Sequence, residues 1–554
     1  MTTIADALLE AARTTRGLQT IEHDGRASRI PYAELLRRAL LGAGRLAAEG
    51  LRPGDRVALI APEVEGFIEA FFAIQAAGLV PVPLVPPAQA GELTTFARQS
   101  HHLLSASRAA AIVTTGDVAP LLELSDLHPA PRLLVADSLW TAGALDAPVP
   151  VPRASMALLQ FTSGSTAAPK GVVLTHENLL TNVRAIAGPH GLAVTAEDVG
   201  VSWLPLYHDM GLIGMLLTAV CTGNEAIIMS PVLFLKRPTA WLDAISSHRG
   251  TVSFAPNFAY ELCLRRVKPS QIETLDLSSW RVAGCGAEPV RPETLQAFAD
   301  RFAPAGFRSR AFLPSYGLAE HSLAVTIARD GVVVDTVDAQ RLGHDSVALP
   351  VQNGSASVRI VSCGAPFPGH EVRIVDDQGT ELPDRHVGRI LARGPSVMAG
   401  YFENPEATAE TLHDGWLETG DLGYRANGSL FVCGRTKDVI IRQGRKYHPP
   451  DLESAIGDVE GLRRSGVVVF GITRLGESDE VVAVLEARAS ATSDQVMDRV
   501  RRRVRETAGL ELDRIVVAPP GTIPRTTSGK VRRAETRARF EAGTLLTGGR
   551  ELAR

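Results

Sequence analysis

Residues 57–77 read VALIAPEVEGFIEAFFAIQAA. The apolar run Val57–Ala61 stops at a proline, and the longer amphipathic run Val64–Ala77 follows it. A short apolar run ended by a breaker has the length of a buried strand, whereas the longer one repeats its apolar positions as a helix does. Ala110–Thr114 and Leu133–Ala136 repeat the strand pattern. Such alternation predicts an α/β fold with helices on both faces of a mainly parallel sheet. The pattern resumes beyond the loop Ser163–Lys170, with a strand at Thr251–Ala255, a helix at Phe258–Arg266 and a strand at Arg281–Cys285, so layered sheets are expected. From Glu371 short alternating strands, Glu371–Val375 and Arg389–Ala392, predict a β-rich sub-domain over about residues 365–436. A break at Gly434–Asp438 then separates a large domain, 1–436, from a small α+β domain, 437–554, with strands near Val467, Val481 and Ile515 and a helix near Val496.

A chain of 554 residues exceeds what one hydrophobic core supports, in keeping with that division. Apolar residues make up 45% and charged residues 21%, an ordinary globular balance. A formal charge of −4 leaves no broad positive field for nucleic acid, and no such partner is expected. The C-terminal region does gather Arg499, Arg501, Arg502, Arg503 and Arg505, then Arg525, Lys530, Arg532, Arg533, Arg537 and Arg539. That pattern suits a solvated helix face with one functional lysine, or a docking surface for an acidic partner. Five scattered cysteines without metal or redox spacing fit a reduced cytoplasm. The N-terminus has no basic region ahead of an apolar run, and the longest apolar stretch, Met210–Cys221, is too short to span a bilayer. It reads as a buried helix, and no integral membrane association is expected.

The chemistry concentrates in Phe161-Thr162-Ser163-Gly164-Ser165-Thr166-Ala167-Ala168-Pro169-Lys170-Gly171. Small hydroxyl residues and glycine let backbone amides approach an anion closely, and the lysine adds a point charge, so the stretch reads as a phosphate cradle. It is not the P-loop, because Pro169 precedes the lysine and Gly171 follows it.

This segment resembles the phosphate-binding signature of the adenylate-forming superfamily, which includes acyl-CoA ligases, luciferases and peptide-synthetase adenylation domains. The resemblance continues in order along nearly the whole chain. It runs through Leu204-Pro205-Leu206-Tyr207-His208-Asp209-Met210-Gly211, Gly286-Ala287-Glu288-Pro289, Ser315-Tyr316-Gly317-Leu318-Ala319-Glu320, Thr419-Gly420-Asp421, Gly434-Arg435-Thr436-Lys437-Asp438 and Pro524-Arg525-Thr526-Thr527-Ser528-Gly529-Lys530. Tyr-Gly-Leu-Ala-Glu, Leu-Tyr-His-Asp-Met-Gly-Leu and the segment Phe254–Glu261 look most like the fatty acyl-AMP ligase branch. Its members pass the acyl group to the phosphopantetheine arm of a carrier protein and carry an extra segment that restricts lid movement. Ala328–Ser362 is where that segment would lie here, though the stretch reads as irregular.

The resemblance implies ATP and Mg²⁺ as cofactors, a carboxylic acid as substrate (a medium- or long-chain fatty acid) and an acyl carrier protein or coenzyme A as acceptor. It implies that Lys530, on a mobile C-terminal lid, bridges the carboxylate and the α-phosphate. Thr162, Ser163, Gly164, Ser165, Thr166 and Lys170 would contact the β- and γ-phosphates. Gly286, Ala287, Glu288, Ser315, Tyr316, Gly317, Leu318 and Ala319 would line the adenine side, with Tyr316 offering its ring face. Asp421 would take the ribose hydroxyls, supported by Arg435. Glu320 would hold the metal; a carboxylate at a helix N-terminus is the competing reading. His208 would gate an acid pocket lined by Met210, Gly211, Gly214, Met215 and Phe258. That lining is deformable and apolar, and it offers no carboxylate for a substrate ammonium. Lys437 would be the hinge, exposing a second lid face around Gly444. Acyl-CoA ligation, activation of an aryl acid, adenylation of a different oxyanion and a non-catalytic scaffold are the competing functions; intact Lys530, Glu320, Asp421 and Arg435 speak against the last.

Overall fold

The computed structural model describes the chain apart from residues 88–92, 141–142, 163–169, 353–355, 443–444, 461, 463–465, 473–478, 488–493, 526–530, 546–549 and 554. The stretch 57–77 folds as its pattern predicts, into the strand Arg56–Ile60 and the helix Val64–Ala76. The strand pairs in parallel with Val80–Pro83 on one side and Ala111–Thr114 on the other, and Arg132–Val135 completes the sheet. The helix is buried almost all round, since even Glu69 and Gln75 lie inside. Against it packs the helix Tyr32–Ala48, where a Cβ on Gly42 would come within 2.6 Å of Ala73 Cβ.

A second sheet of nine strands runs in the spatial order Ala365–Pro366, Ala324–Ile327, Phe312–Gly317, Val282–Cys285, Val252–Ala255, Val199–Ser202, Glu225–Met229, Gly17–Ile21 and Ala27–Pro31. From Phe312–Gly317 to Gly17–Ile21 neighbouring strands are parallel. Its aromatic core includes Tyr260 edge-on to Phe298 at 5.1 Å and Trp280 edge-on to Phe307 at 5.2 Å. Such pairs each add about 0.5–1.5 kcal/mol beyond their burial.

The β-rich part is the antiparallel sheet of Glu371–Val375, Gly388–Arg393, Trp416–Ala426, Leu412–His413 and Ser429–Arg435. The C-terminal sheet joins Val467–Ile472, Glu480–Glu486, Arg514–Ala518 and Arg550–Ala553. Period-two alternation sends Val467 and Val469 to one of its faces, with Leu452, Ile456 and Val500, and Val468 and Phe470 to the other, with Val516 and Ile523. The chain is therefore a mixed α/β fold with several sheets in its larger part and a small C-terminal sheet, as expected.

Met210–Cys221 is the buried helix its sequence predicts, of mixed kind: Met210–Leu217 is a π-helix, closed by the Thr218 N–H donating to Ile213 O, and Thr218–Thr222 is α-helical. Ala328–Ser362 is ordered in its described part. Val334–Asp338 pairs antiparallel with Ser357–Val361, and between them Asp338 caps the helix Ala339–Asp345 by accepting from the Gln340 and Arg341 N–H groups. Leu342 of that helix packs with Tyr424, Phe431 and Cys433, and its outer side lies against Arg445–Tyr447 and the helix Asp494–Ala508. All five cysteines are free thiols, and among the described residues no helix is long and apolar enough to cross a membrane.

Candidate active site

The strands Met156–Phe161 and Gly171–Thr175 form a hairpin whose loop holds the phosphate-cradle motif. Ser163, Gly164, Ser165 and Thr166 lie outside the described residues; Thr162 and Lys170 flank them, with the Thr162 N–H donating to Lys170 O at 3.2 Å. A third strand, Gly400–Tyr401, pairs with Val172 and Val173. It brings the Tyr401 ring beneath Lys170, whose Nζ lies 4.7 Å from the ring centroid. Tyr401 Oη in turn donates to Glu320 Oε1 at 2.9 Å. Lys170, Tyr401 and Glu320 are thus gathered from three distant parts of the chain.

Glu320 lies in the turn Ala319–His321 that follows Phe312–Gly317, and Met398 N–H donates to its carbonyl at 2.9 Å. Burial raises its carboxyl above the usual glutamate range; the Tyr401 hydrogen bond opposes this, the charge of Asp209 adds to it and that of Arg435 opposes it. Asp209 and Arg435 therefore both act on the same carboxylate.

The second cluster forms where Trp416–Ala426 pairs with Ser429–Arg435, which sets Asp421 opposite Arg435. Asp421 is only 8% exposed. It accepts from Tyr316 Oη at 2.6 Å and lies 3.3 Å from Arg435 Nε. Burial pushes its pKa up, against the opposing charge of Arg435 and the Tyr316 hydrogen bond. Gly420 just before it takes φ +74°, a conformation that favours glycine.

Gly286, just past the strand Val282–Cys285, lies so close to Ser315 on the neighbouring strand that its Cβ would sit 2.6 Å from Ser315 Oγ. The space a Cβ would need is filled by Ser315, so glycine serves the close packing of the two segments here. Ala287 adopts φ +68°. The Glu288 carboxylate accepts from Phe258 N–H at 2.6 Å, tying this segment to the start of the helix Asn257–Arg266. Gly317 has Leu323 O 2.0 Å from where its Cβ would be, and Leu318 and Ala319 direct their side chains into the core.

On the apolar side, the His208 N–H donates to Pro205 O at 3.2 Å, and its ring lies 5.1 Å from that of Tyr207. Gln160 Nε2 fixes the Tyr207 carbonyl at 3.0 Å, linking this segment to the hairpin. The π-helix starts at Met210, and irregular helices of this kind concentrate at functional sites. A Cβ on Gly211 would meet Pro205 O at 2.3 Å, and one on Gly214 would meet Leu323 Cδ2 at 2.9 Å. Met215 and Phe258 pack in one apolar cluster with Trp203, whose ring meets Phe258 edge-on at 5.9 Å.

Lys437 is exposed in the turn Thr436–Asp438. Lys530 and Gly444 lie outside the described residues. Tyr401 is the residue that reading the sequence missed. A lone Gly-Tyr ahead of an Asn-Pro helix start carries no signal by itself, and only the strand pairing with Val172 reveals its place.

The chain matches the model of the AMP-binding enzyme family over residues 9–402. It is 38% identical to a Caulobacter vibrioides protein provisionally named an acyl-CoA synthetase, over 98% of this chain and 96% of that one. It is 35% identical to a medium-chain-fatty-acid–[acyl-carrier-protein] ligase of Moorena producens, over 93% and 90%. A solved structure from a study of fatty acyl-adenylate ligases of E. coli and L. pneumophila superposes with a TM-score of 0.91 at 38% identity, covering 98% of each chain. These similarities span both ends of the chain and every motif above, and the chain therefore belongs to the AMP-binding enzyme family, as an adenylate-forming, acyl-activating ligase.

Proposed function

We propose that this ligase activates a fatty acid with ATP and delivers the acyl group to the phosphopantetheine thiol of an acyl carrier protein. The observation that carries this reading is the pair of clusters Lys170–Tyr401–Glu320 and Tyr316–Asp421–Arg435, linked by the charge of Arg435 acting on Glu320. A carboxylate oxygen attacks the α-phosphorus, the bond to the β-phosphate oxygen breaks, and pyrophosphate leaves. Two anions must meet, so the protein's task is positioning and charge neutralisation.

Lys170 and Thr162, with residues 163–166, hold the β- and γ-phosphates. Tyr316 stacks on adenine, and Asp421, held by Tyr316 and Arg435, accepts from the ribose hydroxyls. Glu320 suits Mg²⁺: one oxygen is taken by Tyr401, and the negative charge it shares with Asp209 is relieved by a divalent cation. Bound Mg²⁺ would neutralise phosphate charge. His208 is assigned as the gate of an acid pocket formed by Met210, Gly211, Gly214, Met215 and Phe258; the apolar side chains of Met210, Met215 and Phe258 suit an alkyl chain and would leave a substrate ammonium unpaired. Asp421→Asn is expected to raise KM for ATP by about tenfold, near 1.4 kcal/mol, with a smaller effect on KM for the acid. Initial rates at varied ATP check this.

In the second step the thiolate sulfur attacks the acyl carbonyl and AMP leaves. The helix Ala339–Asp345, wedged against Arg445–Tyr447 and Asp494–Ala508, supports a carrier protein as acceptor, because it restrains the C-terminal part that must turn for transfer. We assign the pivot to Lys437, in the turn between the last strand of the β-rich sheet, which ends at Arg435, and the C-terminal apolar cluster, which begins at Ile440. Lys437→Pro is expected to leave adenylation within about threefold of wild type and to slow acyl transfer by about tenfold or more. Equal loss of both half-reactions would remove the pivot.

Purified protein with ATP, Mg²⁺ and acids of graded chain length should form acyl-adenylate detectable by mass. That adenylate should persist with coenzyme A and be consumed by a phosphopantetheinylated carrier. Rapid acyl-CoA formation would replace the carrier with coenzyme A.

A further inference from the structure

Arg533 opens the helix Arg533–Glu541, and its side chain is 19% exposed. It spends its whole guanidinium on three separate elements. Nη2 donates to Glu453 Oε1 at 2.9 Å and Oε2 at 3.0 Å, on the helix Pro449–Gly457. Nε donates to Val469 O at 3.1 Å, in the first strand of the C-terminal sheet. Nη1 pairs with Asp438, the last residue of the turn that contains Lys437. Glu453 Oε1 also accepts from Val469 N–H at 3.0 Å, so the carboxylate is itself fixed to the strand. A planar fork with five donors can hold three directions at once, as a lysine cannot.

Two ion pairs therefore bracket Thr436 and Lys437. Arg435 is held to Asp421 on one side, and Asp438 is held to Arg533 on the other. A rotation at Lys437 is useful only if the chain beyond it moves as a solid piece, since slack at 438–440 would dissipate the turn. Described residues on either side of 526–530 are also held: Val531 bridges to Arg525, and the Arg532 N–H donates to Pro524 O at 2.9 Å. Glu486 accepts the Gly521 N–H at 2.8 Å and the Ile523 N–H at 2.9 Å. Stability alone is a weak account of such a network, because well-packed apolar residues often replace a buried ion set without loss.

We infer that Arg533 is a positioning residue that fuses the pivot turn, through Asp438, to the helix Pro449–Gly457 and the C-terminal sheet, so that movement at Lys437 is transmitted undiminished to the chain carrying Lys530. Lys530 lies three residues before Arg533 in the sequence, a reach of about 10 Å at most. The inference rests on Lys437 being the pivot.

Asp438→Asn is the sharpest test, because it weakens only the limb to the turn and leaves Arg533 on Glu453. It is expected to lower kcat for acyl-adenylate formation, and the rate of acyl transfer with it, by up to about 10²-fold, the cost of misplacing a reacting group by about an ångström. KM for ATP and acid should stay within about twofold, and Asp438→Glu should restore most of the rate. A purely structural role would instead lower Tm and leave kcat intact below it. Arg533→Lys, which keeps the charge and loses the fork, should reproduce the kcat loss and supplies the same comparison if Asp438→Asn does not fold. If Lys437→Pro separates the half-reactions while Asp438→Asn runs both at wild-type rates, the pivot stands and the role of Arg533 is overturned. If Lys437→Pro slows both equally, the inference falls with its premise.

Discussion

Lys530→Ala should lower acyl-adenylate formation by about 10²–10³-fold while leaving ATP affinity within about threefold, the pattern of an interaction made mainly in the transition state. On the proposed reading, ground-state ATP would already have Lys170 for its phosphates and the Asp421–Tyr316 pair for its ribose. Charge that Lys530 would meet, spread over the attacking carboxylate and the α-phosphate, develops only as the two converge. A compact ammonium on a flexible stem suits a group that arrives from a separate domain. Single-turnover formation of acyl-AMP, read beside ATP binding by calorimetry, separates the two quantities. Retained adenylation would remove Lys530 from the reaction; lost ATP binding would make it a ground-state contact.

Glu320→Gln is expected to reduce adenylation by about 10²-fold, because an amide could not supply the charge that, in the proposed role, would hold Mg²⁺. Burial raises the Glu320 pKa, so the working carboxylate should be lost on acidification at a pH above that of an ordinary glutamate. That direction belongs to the ligand-free protein, since bound Mg²⁺ would itself favour the ionised carboxylate. Stability runs the opposite way. A raised pKa favours the protonated carboxyl in the folded state, so its contribution is complete below the unfolded value and is lost as pH rises through the folded one. Ligand-free Glu320→Gln should therefore be more stable than wild type at neutral pH, by about 1.4 kcal/mol for each pK unit of the shift. An equal or lower Tm would remove the burial penalty on the carboxylate, and an unchanged Mg²⁺ dependence would take the metal away from Glu320.

The layered α/β architecture was legible because strands such as Arg56–Ile60 and helices such as Val64–Ala76 announce themselves through local period and breakers. Met210–Leu217 was not, because a stretch that is apolar on every side carries no phase to distinguish a π-helix from an α-helix. Ala328–Ser362 looked irregular since its strands are short and its order comes from Leu342 packing beneath Tyr424 and Phe431. In the site, motif residues such as Asp421 and Glu320 could be named from their neighbours in sequence. Their supports could not. Tyr401 reaches Glu320 across 81 positions, and Arg533 reaches Glu453 across 80 and Asp438 across 95. Such pairings follow from tertiary packing, which no local window of sequence contains.

Acid-dependent exchange of labelled pyrophosphate into ATP tests the central chemistry most directly, because it needs only the first half-reaction and no acceptor. With Mg²⁺ and a series of fatty acids, exchange should rise with chain length to an optimum and be negligible without acid. No exchange with any acid, or exchange independent of acid, would contradict the account.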